Sequence, residues 1–321
     1  MLAIDQRDSL RNGMATAAGT TADRISDEAL IKAKRAIVKT LAPYASAVLI
    51  DPVYGYPQCV TDLPPRVGLL LSQEETGYVA GGASEKERRT RLLENWSVEQ
   101  AQRLGADAVK LLLYYRPDGS VEMRRQQEKL VADVGHACVQ AEMPFLLELV
   151  AYPLTEGGAD SLAYAQKKPA LVIRSAEEFS KPVYGVDILK LEFPADLKWT
   201  AEYAGGAFDG KPRQSAYRAT EVETFCRQLN QAAGIPWVIL SAGVNIEEFL
   251  VQVDMATAAG ASGFLCGRAI WKDAIPLYPD LVKMETWLRT QGGHNFARAK
   301  AHAGLALPWP QHRAFAGDSQ P

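Results

Sequence analysis

The sequence predicts an α/β protein built as a (β/α)8 TIM barrel. Three observations lead there. Eight short apolar runs recur along the 321 residues, most of the gaps between them carry helical periodicity, and no early run is followed by a G-x-G-x-x-G turn. The last point counts against an open doubly wound sheet, the second architecture that alternating strands and helices would allow.

The strands are expected at residues 2–5, 46–51, 67–71, 108–114, 145–150, 187–193, 237–241 and 263–267. Each is nearly continuous in apolar residues, as strands covered on both faces should be. Helices are expected over 25–41, 92–104, 122–142, 220–233 and 246–259, where apolar positions recur at helical spacing, as Ala29, Leu30, Ala33, Ala36, Ile37 and Thr40 do in the first. Pro144 and Pro236 mark the change from helix to strand. The polar stretch 77–91 reads as a loop leading into a helix. The glycine-rich stretch 205–215 reads as a mobile flap. One barrel domain is expected over 1–300, followed by an irregular tail over 301–321 that is rich in proline and includes Gly317.

Composition removes several functions. The formal net charge is -3, so no basic excess exists to meet a phosphate backbone and nucleic acid is not an expected partner. Cys59, Cys138, Cys226 and Cys266 are far apart, which points to neither a disulfide framework nor a structural zinc site. His136, His294, His302 and His312 lack metal-ligand spacing, so neither a metal nor a cofactor is expected, and surface or tail positions are expected for them. No apolar run approaches the ~20 residues that span a bilayer. The first residues show no basic segment followed by an apolar one, so no membrane partner and a cytoplasmic setting are expected.

Strand side chains alternate between faces. In the fourth, fifth and sixth strands one face is wholly apolar, while the other carries Lys110, Glu148 and Lys190, with Glu192 further along. A lone strand lysine is more often a structural ion pair than a nucleophile. Three charges converging from adjacent strands into a barrel instead make a polar cluster, because buried charges require partners. Asp5 and Asp51 end the first two strands, Ser241 the seventh and Gly267-Arg268 the eighth, all at the carboxyl ends where barrel active sites form. Asp51 precedes Pro52, so it could equally start a turn, and Cys266 reads as an inert core thiol. A lysine crowded by a second ammonium can lose its proton near neutrality and attack a ketone, with a nearby carboxylate moving protons. Lys190, Lys110 and Glu148 supply those parts. Backbone amides after Ser241-Ala242-Gly243 and around Gly267 can face a phosphate.

Five segments together carry a family likeness: residues 2–7 (LAIDQR), 49–55 (LIDPVYG), 106–115 (ADAVKLLLYY), 187–192 (DILKLE) and 240–244 (LSAGV). In that order they resemble the tagatose 1,6-diphosphate aldolase family. They also resemble the sulfofructosephosphate aldolases, toward which residues 41–47 and 259–265 lean. The resemblance implies a metal-independent Schiff-base aldolase on a (β/α)8 barrel, cleaving a phosphorylated ketohexose to dihydroxyacetone phosphate and a three-carbon aldehyde. Glyceraldehyde 3-phosphate would leave in one case and 3-sulfolactaldehyde in the other. It implies Lys190 as the imine-forming lysine, Glu148 as general acid and base, Lys110 as its support, and Asp5 and Gln6 as holders of substrate hydroxyls or the near phosphate. Ser241, Gly243, Leu265, Gly267 and Arg268 would cradle the phosphate on carbon 1, and Arg7 would meet the anion on carbon 6. Association into a homo-oligomer is implied as well. The flap at 205–215, with Lys211 and Arg213, departs from the family pattern. Two other readings remain: an isomerase with Glu148 as base and Lys110 as electrophile, and a sugar-phosphate sensor without turnover.

Overall fold

A computed structural model describes residues 1–81 and 86–315. Seven parallel strands follow one another in chain order: β1 (Leu2–Ile4), β2 (Ala47–Ile50), β3 (Gly68–Ser72), β4 (Ala108–Tyr114), β5 (Phe145–Val150), β6 (Ile188–Leu191) and β7 (Trp237–Ile239). Residues 263–267 fill the eighth place. They bridge to β7 through Ile239 and Phe264 and to β1 through Leu2 and Cys266. The Leu265 N–H donates to the Ile239 carbonyl at 3.0 Å, and the Ala3 N–H donates to the Cys266 carbonyl at 2.8 Å. The sheet therefore closes on itself and leaves no edge. The expected TIM barrel is the fold.

Alternation along the strands separates two cores. Ala3, Leu49, Leu70, Leu146, Val238 and Leu265 form a compact cluster inside the barrel floor. The other face of each strand joins the helices in the main cluster, with Val109, Leu111 and Leu113 from β4 and Leu189 and Leu191 from β6. Two residues beyond the floor layer the inward face turns polar, at Asp5, Ser72, Lys110, Glu148 and Lys190, all buried or nearly so. A period of two thus places five polar side chains in one layer.

The helices between strands begin where a side chain satisfies a free backbone N–H. Ser26 opens α2 (Asp27–Leu41), Ser97 opens α3 (Val98–Arg103), Ser120 opens α4 (Val121–Gln140) and Ser161 opens α5 (Leu162–Phe179); Asn245 opens α7 (Ile246–Ala258). Helices α1 (Asp8–Ala17) and α6 (Ala219–Ala232) complete the barrel wall, and α8 (Arg268–Trp271), α9 (Leu281–Trp287) and α10 (Gly293–His302) follow it.

The structure departs from the sequence expectation, or adds to it, in several places. Helix α3 starts at Val98, because Leu92 is held extended in a bridge to Glu74. The stretch 77–91 forms a two-stranded ribbon, Val79–Ala80 against Arg88–Arg89, with residues 82–85 outside the described residues. Within the stretch 205–215, the Arg213 guanidinium bonds Asp209 at 2.7 Å and Asp160 at 3.2 Å, and it lies over the Trp199 ring. His312, in the expected tail, is buried. Around it the tail lies on its own barrel, where Arg313 donates to the carbonyls of Asn230, Gln231 and Ala233 and the Leu307 N–H donates to Ala261. Residues 316–321, Gly317 among them, lie outside the described residues.

Candidate active site

Register brings the charged layer together. Glu148 on β5 stands beside Lys190 on β6, and Ser72 on β3 stands beside Lys110 on β4. The Lys110 ammonium is fully buried and touches three carboxylates: Asp5 at 2.6 Å, Glu74 at 2.5 Å and Glu148 at 3.2 Å. The second Glu74 oxygen accepts the Leu112 N–H at 3.0 Å. Glu148 Oε2 also lies 2.8 Å from Lys190 Nζ, an ion pair whose angles make no hydrogen bond, so that oxygen keeps a free direction for a donor.

Burial alone would lower the Lys110 pKa, but Asp5, Glu74 and Glu148 outweigh it and hold the ammonium well above its ordinary value. Burial likewise would raise Asp5, and Lys110 together with Lys190 overrides it, holding the carboxylate far below the usual range. Lys110 is therefore a fixed cation and Asp5 a fixed anion. This corrects the premise drawn from sequence. Lys110 does not press on Lys190 as a bare second ammonium; its charge is taken up by three carboxylates, one of them the unanticipated Glu74.

The cluster opens into a cavity of about 530 Å³ at the carboxyl ends of the strands, with Asp5, Gln6, Arg7, Glu148, Glu192 and Arg268 in its wall. Four buried polar atoms there have no hydrogen-bond partner: Asp5 Oδ1, Gln6 Oε1, Arg7 Nε and Glu148 Oε2. Buried polar atoms without partners are costly, so their convergence on one cavity marks where a polar ligand or water would complete them. The Arg7 guanidinium donates to the Glu74 carbonyl at 2.5 Å, which couples this wall to the Lys110 cluster.

The turn after β7 carries Ala242 and Gly243 at positive φ, +46° and +79°. Successive residues in this conformation turn backbone N–H groups toward one side, an anion-binding arrangement. The Lys272 ammonium fixes the turn by donating to the Gly243 carbonyl at 2.9 Å. Arg268 lies directly against Gly243, whose missing Cβ would stand 3.3 Å from the guanidinium. Gly267 is required by close approach, since a Cβ there would meet the Ala3 carbonyl at 2.4 Å. Ser241 is buried at the start of the turn.

Two expected site residues lie elsewhere. Asp51 is wholly buried away from the cavity. Lys34 of α2 pairs with one of its oxygens at 2.5 Å, and the Val53 and Tyr54 N–H groups donate to the other. Lys34 also donates to the Ile4 carbonyl at 2.7 Å, so this pair clamps β1 just ahead of Asp5. Leu265 belongs to the floor cluster, and its N–H is spent on barrel closure.

A smaller chamber adjoins the cavity, shares Glu192 and Ala242 with it, and holds Glu248 of α7 in its wall. Burial first, then the nearby Asp196, raises the Glu248 pKa to about 7. The folded state therefore holds a proton that the unfolded chain releases near pH 4.5. Stability contributed by the protonated form is lost as pH rises from there through about 7. Glu248→Gln is expected to raise stability at pH 8 by up to ~3 kcal/mol and to change little at pH 4, read from thermal melts at both.

Comparison with known proteins shows the family of the chain. The family described as DeoC/LacD family aldolase matches residues 1–273. Tagatose 1,6-diphosphate aldolase 2 of Enterococcus faecalis is 37% identical over 299 residues, 92% of this chain and 86% of that protein. Tagatose 1,6-diphosphate aldolase of Lactococcus lactis subsp. lactis is 36% identical over 313 residues, 96% of this chain and 92% of that protein. Among solved structures, a fructose-bisphosphate aldolase from Plasmodium falciparum superimposes with a TM-score of 0.66 at 15% identity, covering 95% of this chain and 90% of that one. A fructose-bisphosphate aldolase from Slackia heliotrinireducens gives 0.57 at 17% identity, covering 96% and 87%. These two support the fold alone. The family match and the identity to curated relatives along nearly the whole chain place this protein in the DeoC/LacD aldolase family.

Proposed function

We propose that the chain cleaves a phosphorylated ketohexose reversibly through an imine on Lys190, giving dihydroxyacetone phosphate and a three-carbon aldehyde. The observation that carries this reading is the buried Lys190–Glu148 contact of 2.8 Å beside a Lys110 already neutralised by its own carboxylates. The names of the relatives favour tagatose 1,6-bisphosphate as the sugar.

The pair needs no exchange of protons with solvent to become reactive. Lys190 passes a proton to Glu148, which yields a nucleophilic amine and a general acid together. The amine attacks the carbon-2 ketone. Glu148 returns the proton to the departing hydroxide, leaving water and a protonated imine. Glu148, now a carboxylate, takes the proton from the carbon-4 hydroxyl. The bond between carbons 3 and 4 breaks, its electron pair passes into the imine, and the aldehyde leaves. Protonation of the enamine at carbon 3 and hydrolysis of the imine release dihydroxyacetone phosphate and restore Lys190. Lys110 stays charged throughout and fixes the orientation of Glu148. The turn at Ala242-Gly243 with Arg268 holds the phosphate on carbon 1.

A retro-aldol assay with tagatose 1,6-bisphosphate, fructose 1,6-bisphosphate and 6-sulfofructose 1-phosphate, each with and without EDTA, tests the reading. Aldehyde release from a bisphosphate, unchanged by the chelator, is the expected result. Release from the sulfosugar alone assigns the sulfofructosephosphate reaction instead. Tight binding of all three without release leaves the sensor reading.

A further inference from the structure

We infer that a groove beneath the barrel floor, at the end opposite the catalytic cavity, binds a small planar apolar molecule bearing one negative charge, an aryl carboxylate by chemical class. The groove measures about 600 Å³. Its place follows from the chain. Arg66 precedes β3, Ile188 opens β6, Pro236 precedes β7 and Ser262 leads into the eighth place, so the groove lies at the amino ends of the strands. Its base is the underside of the floor cluster, formed by Val238 with Ile188 packed against it. One wall is the tail, which carries Trp309 and is held in place where the Leu307 N–H donates to the Ala261 carbonyl at 3.1 Å.

The charge of the ligand is read from the wall. Its charged side chains are both basic, Arg66 and Lys300, and no carboxylate lines it. The Arg66 guanidinium donates once, to the Pro43 carbonyl at 2.8 Å. Along α10, Arg298 pairs with Glu247 at 2.7 Å and His302 with Asp254 at 2.8 Å. Among the described residues the Lys300 ammonium between them has neither an ion pair nor a hydrogen bond. Two acids stand at this end of the barrel, and both are spent on the sheet. Asp107 accepts the Leu69 N–H and Asp187 the Phe145 N–H, each at 2.7 Å. The Ser262 hydroxyl is buried in the wall without a partner. Arg66, Lys300 and Ser262 can all donate, and an anion accepts from each.

The body of the ligand is read from the rings. Tyr44, Phe264, Phe296 and Trp309 line the groove. Between ring centres, Tyr44 lies 6.3 Å from Phe296, and Phe296 lies 5.7 Å from Phe264, so three rings follow one another at aromatic contact distance. Tyr44 and Trp309 are both exposed despite their size. Exposed rings beside a concave apolar surface offer a flat partner cover from water. A lining that is mostly apolar, with a few polar groups in it, suits a small molecule of this size. A sugar phosphate does not suit it, because its hydroxyls would face rings and alanines and stay unpaired. The groove therefore differs from the catalytic cavity in both place and ligand chemistry.

Titration calorimetry with 2-naphthoate and its uncharged counterpart 2-naphthamide tests the inference. The unaltered chain is expected to bind the naphthoate more tightly than the amide, and less tightly as salt is raised. Replacing both cations, Arg66→Gln with Lys300→Gln, is expected to weaken the naphthoate by about tenfold or more and the amide by less than about twofold. Both side chains are exposed at the end of the barrel away from the catalytic cavity, so this variant should melt and turn over as the unaltered chain does. Trp309→Ala should weaken both ligands alike, since it removes a ring and no charge. Arg268→Gln, at the catalytic end, is expected to leave naphthoate binding unchanged. No binding of either ligand, equal binding of the two, or a naphthoate affinity indifferent to the double substitution overturns the inference. Loss of naphthoate binding in Arg268→Gln assigns the ligand to the catalytic cavity and overturns it as well.

Discussion

Lys190→Met is expected to lower kcat/KM for the ketohexose bisphosphate by about 10⁴-fold or more, because the covalent route disappears rather than weakens. Methionine fills most of the lysine volume without a charge, so the buried layer stays packed. Lys110 keeps Asp5 and Glu74 as partners, and Glu148 keeps Lys110 at 3.2 Å, so no carboxylate in the cluster is left without a cation. The variant is therefore expected to melt as a folded protein. Treating the unaltered chain with borohydride in the presence of dihydroxyacetone phosphate should add the reduced three-carbon fragment to Lys190, and peptide mapping locates it. An adduct on Lys110 would refute the assignment, and it would be surprising physically. Lys110 is fully buried and held protonated by three carboxylates, so it has neither the free electron pair nor the access that attack requires.

Much of this site was legible because strand alternation is a rigid rule. Lys110, Glu148 and Lys190 fall on the inward face by parity alone, and the closed sheet makes inward positions converge. Glu74 obeys the same parity, two residues beyond Ser72 at the end of β3, so extending the alternation past the apolar run would have found it. Asp51 shows how parity fails at a strand end, where the chain turns and the side chain can reach back. Its partner left a signal, because Lys34 lies on the stripe of Leu30, Ile37 and Leu41, the buried face of α2. A lysine on an apolar stripe needs a buried acid, and Asp51 is the one within reach. Helix α5 was missed because Pro169 sits inside it and looks like a terminator, although Val172, Ala176 and Phe179 continue the buried face beyond. Helix α1 was missed because only Leu10, Met14 and Ala15 are buried along a polar sequence.

The Glu148→Gln substitution separates the two halves of the proposed reaction. Glutamine keeps the shape of the side chain and its contact with both lysines but can neither take nor hold a proton at that position. Cleavage requires the carbon-4 hydroxyl proton to leave, so kcat is expected to fall by about 10²- to 10⁴-fold, the range for removal of a positioned general base. The imine requires only that Lys190 lose a proton and that water depart, and both can proceed slowly without Glu148. Borohydride trapping of dihydroxyacetone phosphate on Lys190 should accordingly persist, delayed, in a variant that no longer releases aldehyde. Folding is not expected to fail, because Lys110 retains Asp5 at 2.6 Å and Glu74 at 2.5 Å. Two results would break the assignment in different ways. Loss of trapping in proportion to loss of cleavage would mean that Glu148 acts only by activating the amine, and the carbon-4 proton must then go elsewhere, with Asp5 Oδ1 another unsatisfied acceptor of the cluster. Unchanged cleavage would mean that a water reached from the cavity serves as base, and the free direction at Glu148 Oε2 would then be a structural accident rather than the place where the sugar gives up its proton.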